Sequence, residues 1–396
     1  MIHRTIAFVL VVVVFAPGVS ARQLHVPDRF LTIEDAIDAS VDGDSVIVAD
    51  GIYAENVQFE GHSITLGSEF LLDGRAGHIA ATVIDGGGAG TVVSSDQGEE
   101  VHIGGLTLRN GESVDGGGVY CAGGGVAVLS DLWIEGCEAS HYGGGVYAEY
   151  TDLTVRHSMI TGNTGGPRAG GIHIGVRCIG SVEGSVIEGN VADGSPAYGH
   201  GGGLSIKDAE EATVRHTIIR DNYAYVAAGG FWCNVPTTVE NCIFVGNEAD
   251  KNNGAGIVLF YPVVIENCTI TGNRIIGNGL GGGIFASREV PVIRNSIIWG
   301  NEAGAGDDVW GECDITYSNV GGGWPGDGNI DTDPLMGSYR GLEYLLGPSS
   351  PCIDAGDPDR VDGIDDSHPR VPLWYVDGPR CDMGAYGGPL NGGWRP

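Results

Sequence analysis

Lysine is almost missing from this chain. Two of its 396 residues are lysine, Lys207 and Lys251, and the 20 basic residues face 51 acidic ones, a net charge of −31 at neutral pH. Such a charge makes nucleic acid and anionic membranes poor partners. It fits a solvated surface, cation binding or both, with solubility the plainer account. Long apolar runs are missing after the first twenty residues, so no later stretch can span a bilayer as a helix. No cysteine spacing matches a zinc site, and nine cysteines leave at least one without an intramolecular partner. Seventy glycines occur with neither a Gly-X-Y period nor an excess of proline, which excludes collagen. Helical periodicity long enough for a crossover is absent too, so tight turns between short strands account for the glycine.

The one apolar run, "TIAFVLVVVVFAP", follows His3 and Arg4 and ends in "VSA" before "RQ". It reads as a secretory signal peptide over residues 1–21, cleaved after Ala21. The mature protein is therefore expected at the cell surface or outside the cell, with the periplasm as an alternative.

What the chain has in abundance is repetition. "NCIFVGNEADKNNGAGIVL" starts at Asn241, and "NCTITGNRIIGNGLGGGIF" starts at Asn267. Aligning on the apolar residue before the turn gives Ile103, Leu129, Val155, Val182, Val214, Val239, Ile265 and Ile293, in steps of 25 to 32 residues. A second column holds Asn163, Asn190, Asn222, Asn247, Asn273 and Asn301. Glycine clusters follow at Gly116, Gly143, Gly170, Gly201, Gly229, Gly254 and Gly281, each leading into a strand-like segment. Three short strands per repeat, with period-two alternation, exclude helical solenoids, and the repeats are too short for propeller blades. A parallel β-helix satisfies the pattern: each repeat is one coil, equivalent residues stack about 4.8 Å apart, and the asparagines form ladders.

Open ends of such a stack need covers. "LTIEDAIDAS" supplies an amphipathic helix at the start, with Thr32 as N-cap and Ile33, Ala36 and Ile37 on one face. The expected organisation is a signal peptide at 1–21, an N-terminal cap at 22–45, a β-helix of about ten coils at 46–320, and an Asp/Gly/Pro-rich C-terminal cap or tail at 321–396. "TIEDAIDASVDGDSVIVADGIYAENV", "IGGLTLRNG", "GNIDTDPLM", "SPCIDAGDPD" and "CDMGAYGG" resemble segments of the exported right-handed β-helix proteins of the pectin-lyase-like superfamily. The resemblance covers nearly the whole mature chain and implies an all-β, right-handed parallel β-helix. It says little about chemistry, since that superfamily includes lyases, hydrolases and adhesins.

Candidate chemistry is sparse. A resemblance to the polygalacturonases of that superfamily would imply a carboxylate cluster beside a Gly-His-Gly on neighbouring coils. Gly199, His200 and Gly201 occur, as do Asp307 and Asp308, but in reversed order and about four coils apart. His200 is accordingly read as a turn residue. Outward positions after the core column carry Arg156, Glu183, Arg215, Glu240, Glu266 and Arg294. Glu240 and Glu266 stack as like charges and could hold a cation, with an alternating ion ladder as the plainer reading. Lys207 is a candidate lyase base or a solvated side chain. In the strands after the glycine clusters, Tyr120, Tyr147, His173, Ser205, Trp232, Val258 and Phe285 should share one outward face. Rings stacked along the axis would offer a sugar chain a platform, unless long loops cover them.

The tail places Asp354, Asp357, Asp359, Asp362, Asp365 and Asp366 close together, a composition suited to Ca²⁺ or to Asp-rich turns. Cys352 and Cys381 lie outside the repeat and are the expected disulfide. Cys242 and Cys268 share a repeat position and are read as stacked thiols. The reading these residues favour is a secreted or surface β-helix protein that binds polysaccharide through Tyr120, Tyr147, His173, Trp232 and Phe285. The alternatives are a polysaccharide lyase or hydrolase using Lys207, His173, Glu240 or Glu266, and an adhesin-like surface protein.

Overall fold

The computed structural model describes residues 21–194, 198–339, 341–361, 378, 380–390 and 393–394. Nearly all of the expected signal segment, together with Asp362, Asp365 and Asp366 of the tail, lies outside the described residues.

The chain winds into stacked coils whose strands pair only with equivalents in the coils before and after. The first sheet has 12 parallel strands, the second 11 and the third 10, and a short seven-stranded ladder bridges the second and third. The three expected faces are thus present, with a fourth ladder of mostly two-residue strands added after the asparagine turn. Leu129 pairs with Ile103 and Val155, and the register continues through Val182, Val214, Val239 and Ile265 to Ile293. All eight are fully buried, as the spacing required. The second sheet contributes Leu108, Ile134, Ile160, Ile187, Ile219, Phe244, Ile270 and Ile298 to the same core, and Phe231 of the third sheet stacks on Phe244 across it.

The asparagine column explains how a buried turn keeps its polar groups satisfied. Asn163 donates its backbone N–H and its Nδ2 to Oδ1 of Asn190, each at 3.0 Å, and its Nδ2 also donates to the Ile134 carbonyl. The pattern recurs at Asn190, Asn222, Asn247 and Asn273. Asp308 closes the ladder by accepting both bonds of Asn301. A buried donor or acceptor left without a partner costs about 1 to 3 kcal/mol, so each rung depends on its neighbour.

Between the first and second sheets the chain turns through a left-handed residue in every coil: His157, Gly184, His216, Asn241, Asn267 and Asn295 have φ between 47° and 57°. Asparagine and glycine tolerate this region better than branched residues. The helix Ile33–Asp38 covers the first coil, with Thr32 Oγ1 accepting from Asp35 N and Ile33, Ala36 and Ile37 buried. The strand Gln23–Val26 precedes that helix and pairs with Ser45–Val48, so pairing begins ahead of the cap.

The C-terminal segment is more than an end cover. After an antiparallel hairpin of Met336–Tyr339 and Leu342–Leu346, the chain turns back along the side of the stack. The left-handed turns hold it: Asn295 Oδ1 accepts from Asp357 N, Asn267 Nδ2 donates to the Asp382 carbonyl, Asn241 Nδ2 to those of Ala385 and Gly387, and His216 Nε2 lies 2.7 Å from the Leu390 carbonyl. Ile243, Ala385 and Trp394 form a buried cluster beneath this strap, so it covers the outer face of the second sheet. Trp324 packs against the end of the main core.

Candidate functional site

The outward column of the third sheet is in the register the glycine clusters implied: Tyr120, Tyr147, His173, Ser205, Trp232, Val258 and Phe285 are successive partners, and Trp310 extends it by one coil. Tyr120, Tyr147 and His173 stack with ring centroids 5.3 and 5.6 Å apart. Most of the column is covered. Tyr147, His173 and Trp232 are 6%, 4% and 7% exposed, so Trp232 does not present an open ring as its position suggested. It belongs to a small apolar cluster with Val226, Ala227, Ala228 and Val258, and the Arg168 guanidinium lies 4.2 Å above its ring. Tyr120 and Phe285 remain half-buried, and Trp310 is 41% exposed.

The cover comes from the residue preceding each left-handed position of the glycine-rich turn. Tyr142, Arg168, His200 and Ala227 pair in register as a second column beside the first. Gly143 and Gly201 have φ of 64° and 68°, a conformation glycine adopts without strain, and it sets the preceding side chain over the strand that follows. Tyr142 stacks on His173 at 5.0 Å, and His200 lies 6.3 Å from Trp232.

Among the described residues, four buried polar atoms in these two columns have no hydrogen-bond partner: Arg168 Nη1, His173 Nδ1, His200 Nδ1 and Ser205 Oγ. Burial lowers the His173 pKa to about 3 and that of His200 to about 4, with Arg168 adding to both, so both imidazoles are neutral at physiological pH. Burial also draws the Arg168 pKa below its ordinary value. Nothing in the spacing of the core columns pointed to Arg168 or Tyr142. The available signal was the position just before each glycine cluster, as in "YGGG", "RAGG" and "HGGG".

Other candidate residues are engaged elsewhere. Lys207 Nζ lies 2.6 Å from Asp208 Oδ2, and Asn234 holds that carboxylate from the other side. Glu240 and Glu266 do stack in register, but Glu240 pairs with Arg215, while Glu266 accepts from both terminal nitrogens of Arg360 on the strap. This is the ion-ladder arrangement, with Glu266 serving as an anchor for the tail. Asp357 Oδ1 accepts from Asp359 N in a tight turn, and Asp354 N donates to Asp382. Among the described residues, Asp354, Asp357 and Asp359 do not gather ligand atoms for a cation.

The expected disulfide needs correction. Cys352 is a buried free thiol, so its link to Cys381 is not made. Cys352 Sγ lies 3.1 Å from Asn319 Nδ2 and Cys381 Sγ 3.3 Å from Asn267 Nδ2, and the two segments are joined instead by backbone bonds such as Met383 N to Cys352 O. Cys242 and Cys268 are stacked thiols, with Cys242 N donating to Cys268 Sγ at 3.4 Å.

Parallel coils, a continuous apolar core and an asparagine ladder define a right-handed β-helix solenoid. The sequence matches the family described as right handed beta helix region over residues 89–261 and 201–320, and the chain belongs to that family. Among solved structures it is similar to one titled "Crystal structure of pectate lyase Pel9A", with a TM-score of 0.51 and 12% identity over 93% of this chain and 97% of that one. At that identity the likeness establishes the pectin-lyase-like fold alone. No curated protein sequence matches this one.

Proposed function

We propose that this chain is an exported β-helix protein that binds extracellular or envelope polysaccharide along the two columns of the third sheet, with Arg168 as the contact for an acidic sugar. The observation that carries this reading is the group of unpartnered polar atoms on Arg168, His173, His200 and Ser205, set among aromatic rings. Sugars offer what the accessible part of this surface needs: hydroxyls for the half-buried His200, a carboxylate for the Arg168 guanidinium, and an apolar ring face for Tyr120, Phe285 and Trp310, while His173 and Ser205 lie beneath as buried support. The column from Tyr120 to Trp310 spans seven coil steps, roughly 34 Å at the strand spacing, the length of an extended oligosaccharide. Export rests on the N-terminal sequence, and the fold shared with a pectate lyase supports a glycan as the ligand class.

Arg168 and His200 keep partial exposure and form the entry to the face. Trp232 then acts beneath Arg168, fixing the guanidinium through a cation–π contact. Affinity electrophoresis of the wild type and Arg168→Gln against acidic and neutral polysaccharides, with assay of unsaturated and reducing ends, tests the proposal. An acidic polysaccharide should retard the wild type and release the variant by at least tenfold in affinity. Retention of none, or equal retention of both proteins, refutes it, and new unsaturated ends would establish turnover.

A further inference from the structure

Far from the third sheet, an insertion between the strands Thr65–Ser68 and Thr82–Asp85 forms two short helices, Phe70–Asp73 and Gly77–Ala81. It is seated on glycines. A Cβ on Gly67 would lie 2.3 Å from Leu71 Cδ1, and one on Gly105 would lie 2.8 Å from Phe70. The insertion is therefore held in fixed register against the first coils, and it carries Glu69, Asp73 and His78 to the side of Asp50.

His78 Nδ1 lies 2.6 Å from Asp50 Oδ1 and 3.8 Å from Glu69 Oε2, while Nε2 on the far side of the ring lies 3.5 Å from Asp73 Oδ2. Each of Asp50, Glu69 and His78 offers a ligand atom within 4.8 Å of the other two. We propose that Asp50, Glu69 and His78 bind a divalent transition-metal ion, of which zinc is the type, with Asp73 as the carboxylate that orients the imidazole.

Three features favour a metal over a simple ion pair. Three carboxylates surround one imidazole, and Arg75, 3.3 Å from Asp73, offsets only one of them. Even a protonated His78 leaves the group negative, which a divalent ion would correct. One ring nitrogen faces two carboxylate oxygens and the other faces a third, the arrangement in which an outer carboxylate fixes the tautomer of a metal-bound histidine. Donor atoms around a tetrahedral ion with bonds of about 2.0 to 2.2 Å lie about 3.3 to 3.6 Å apart, so the ion would enter by opening the 2.6 Å His78–Asp50 hydrogen bond by about 1 Å, with Glu69 Oε2 already 3.8 Å from the ring nitrogen. A nitrogen ligand selects zinc or a neighbouring transition metal over calcium, which takes oxygen ligands. Asp50 and Glu69 are half-exposed, which leaves room for water as the fourth ligand.

Calorimetric titration of the metal-free mature chain with zinc chloride near pH 7.5, with calcium chloride as the control, tests this. The wild type should show one site taking zinc in preference to calcium. His78→Gln should weaken it at least 100-fold, and Asp73→Asn by about 10- to 100-fold. Cobalt(II) in place of zinc should give a visible absorption band that His78→Gln abolishes. Thermal unfolding without metal checks that the variants fold, and Glu69→Gln serves if His78→Gln does not. Absence of zinc binding by the wild type, or zinc affinity unchanged in a folded His78→Gln or Glu69→Gln protein, overturns the proposal.

Discussion

Asp308 offers a direct way to weigh the asparagine ladder. Its Oδ1 accepts from Asn301 N at 3.0 Å and from Asn301 Nδ2 at 2.7 Å, where the earlier coils use asparagine. Burial, with Asp307 adding, pushes its pKa up to about 6 from an ordinary value of 3.8. The folded protein therefore holds a proton that the unfolded chain releases between about pH 4 and 6. Stability from this group falls as pH rises through that window and stays low above it. A shift of about two units corresponds to about 3 kcal/mol at neutral pH, at 1.36 kcal/mol per unit. Asp308→Asn keeps the accepting oxygen and removes the charge, but adds donors on the side facing Gly321, so the expected net gain is about 1 to 2 kcal/mol. Urea denaturation at pH 7.5 and pH 4 measures it, with equal m-values confirming that the same unfolding is compared. The variant should be the more stable at pH 7.5, and near pH 4, where the Asp308 carboxyl is neutral as well, it should lose that advantage and become the less stable by about 1 kcal/mol, the cost of the added donors. Equal stability at both pH values, or a variant less stable at pH 7.5, would refute the reasoning.

Other consequences are equally concrete. Asn222→Ala removes the acceptor of two bonds from Asn190 and the donor to the Ile187 carbonyl, and should cost about 3 kcal/mol or more in urea denaturation; a loss under about 1 kcal/mol would mean that water replaces the rung. Trp232→Ala should cost about 3 to 5 kcal/mol, as expected for a buried aromatic. In the proposed arrangement it also weakens glycan binding by the folded fraction, because Arg168 loses its support, and unchanged binding would reduce Trp232 to packing. Glu266→Gln should loosen the strap held through Arg360, so limited proteolysis should cut the C-terminal segment several-fold faster than in the wild type while leaving the coils intact.

The fold was legible because stacking makes sequence period and spatial register the same thing. The spacing from Ile103 to Ile293 became one fully buried column, and the capping helix was readable from Thr32 and the face of Ile33, Ala36 and Ile37. What the period could not carry was the material lying across the repeats. The strap reaches back from Asp357 to Asn295 and from Leu390 to His216, a separation of 174 residues in the second case, and no local pattern encodes such a contact. The site was half legible. Period two placed Tyr147, His173 and Trp232 outward, but their cover by Tyr142, Arg168 and His200 depends on left-handed turns whose effect on the preceding side chain is three-dimensional. The Asp50, Glu69 and His78 group was hidden for a similar reason, since it joins an irregular insertion to a regular coil.

The most direct test of the glycan-binding account is a crystal structure of the mature chain with an acidic oligosaccharide. The sugar chain should lie along the third sheet, parallel to the axis, with a carboxylate within hydrogen-bond distance of the Arg168 guanidinium and hydroxyls near His200. An oligosaccharide bound instead on the first sheet beside Arg156 and Glu183, with Arg168 left unpartnered, would contradict it.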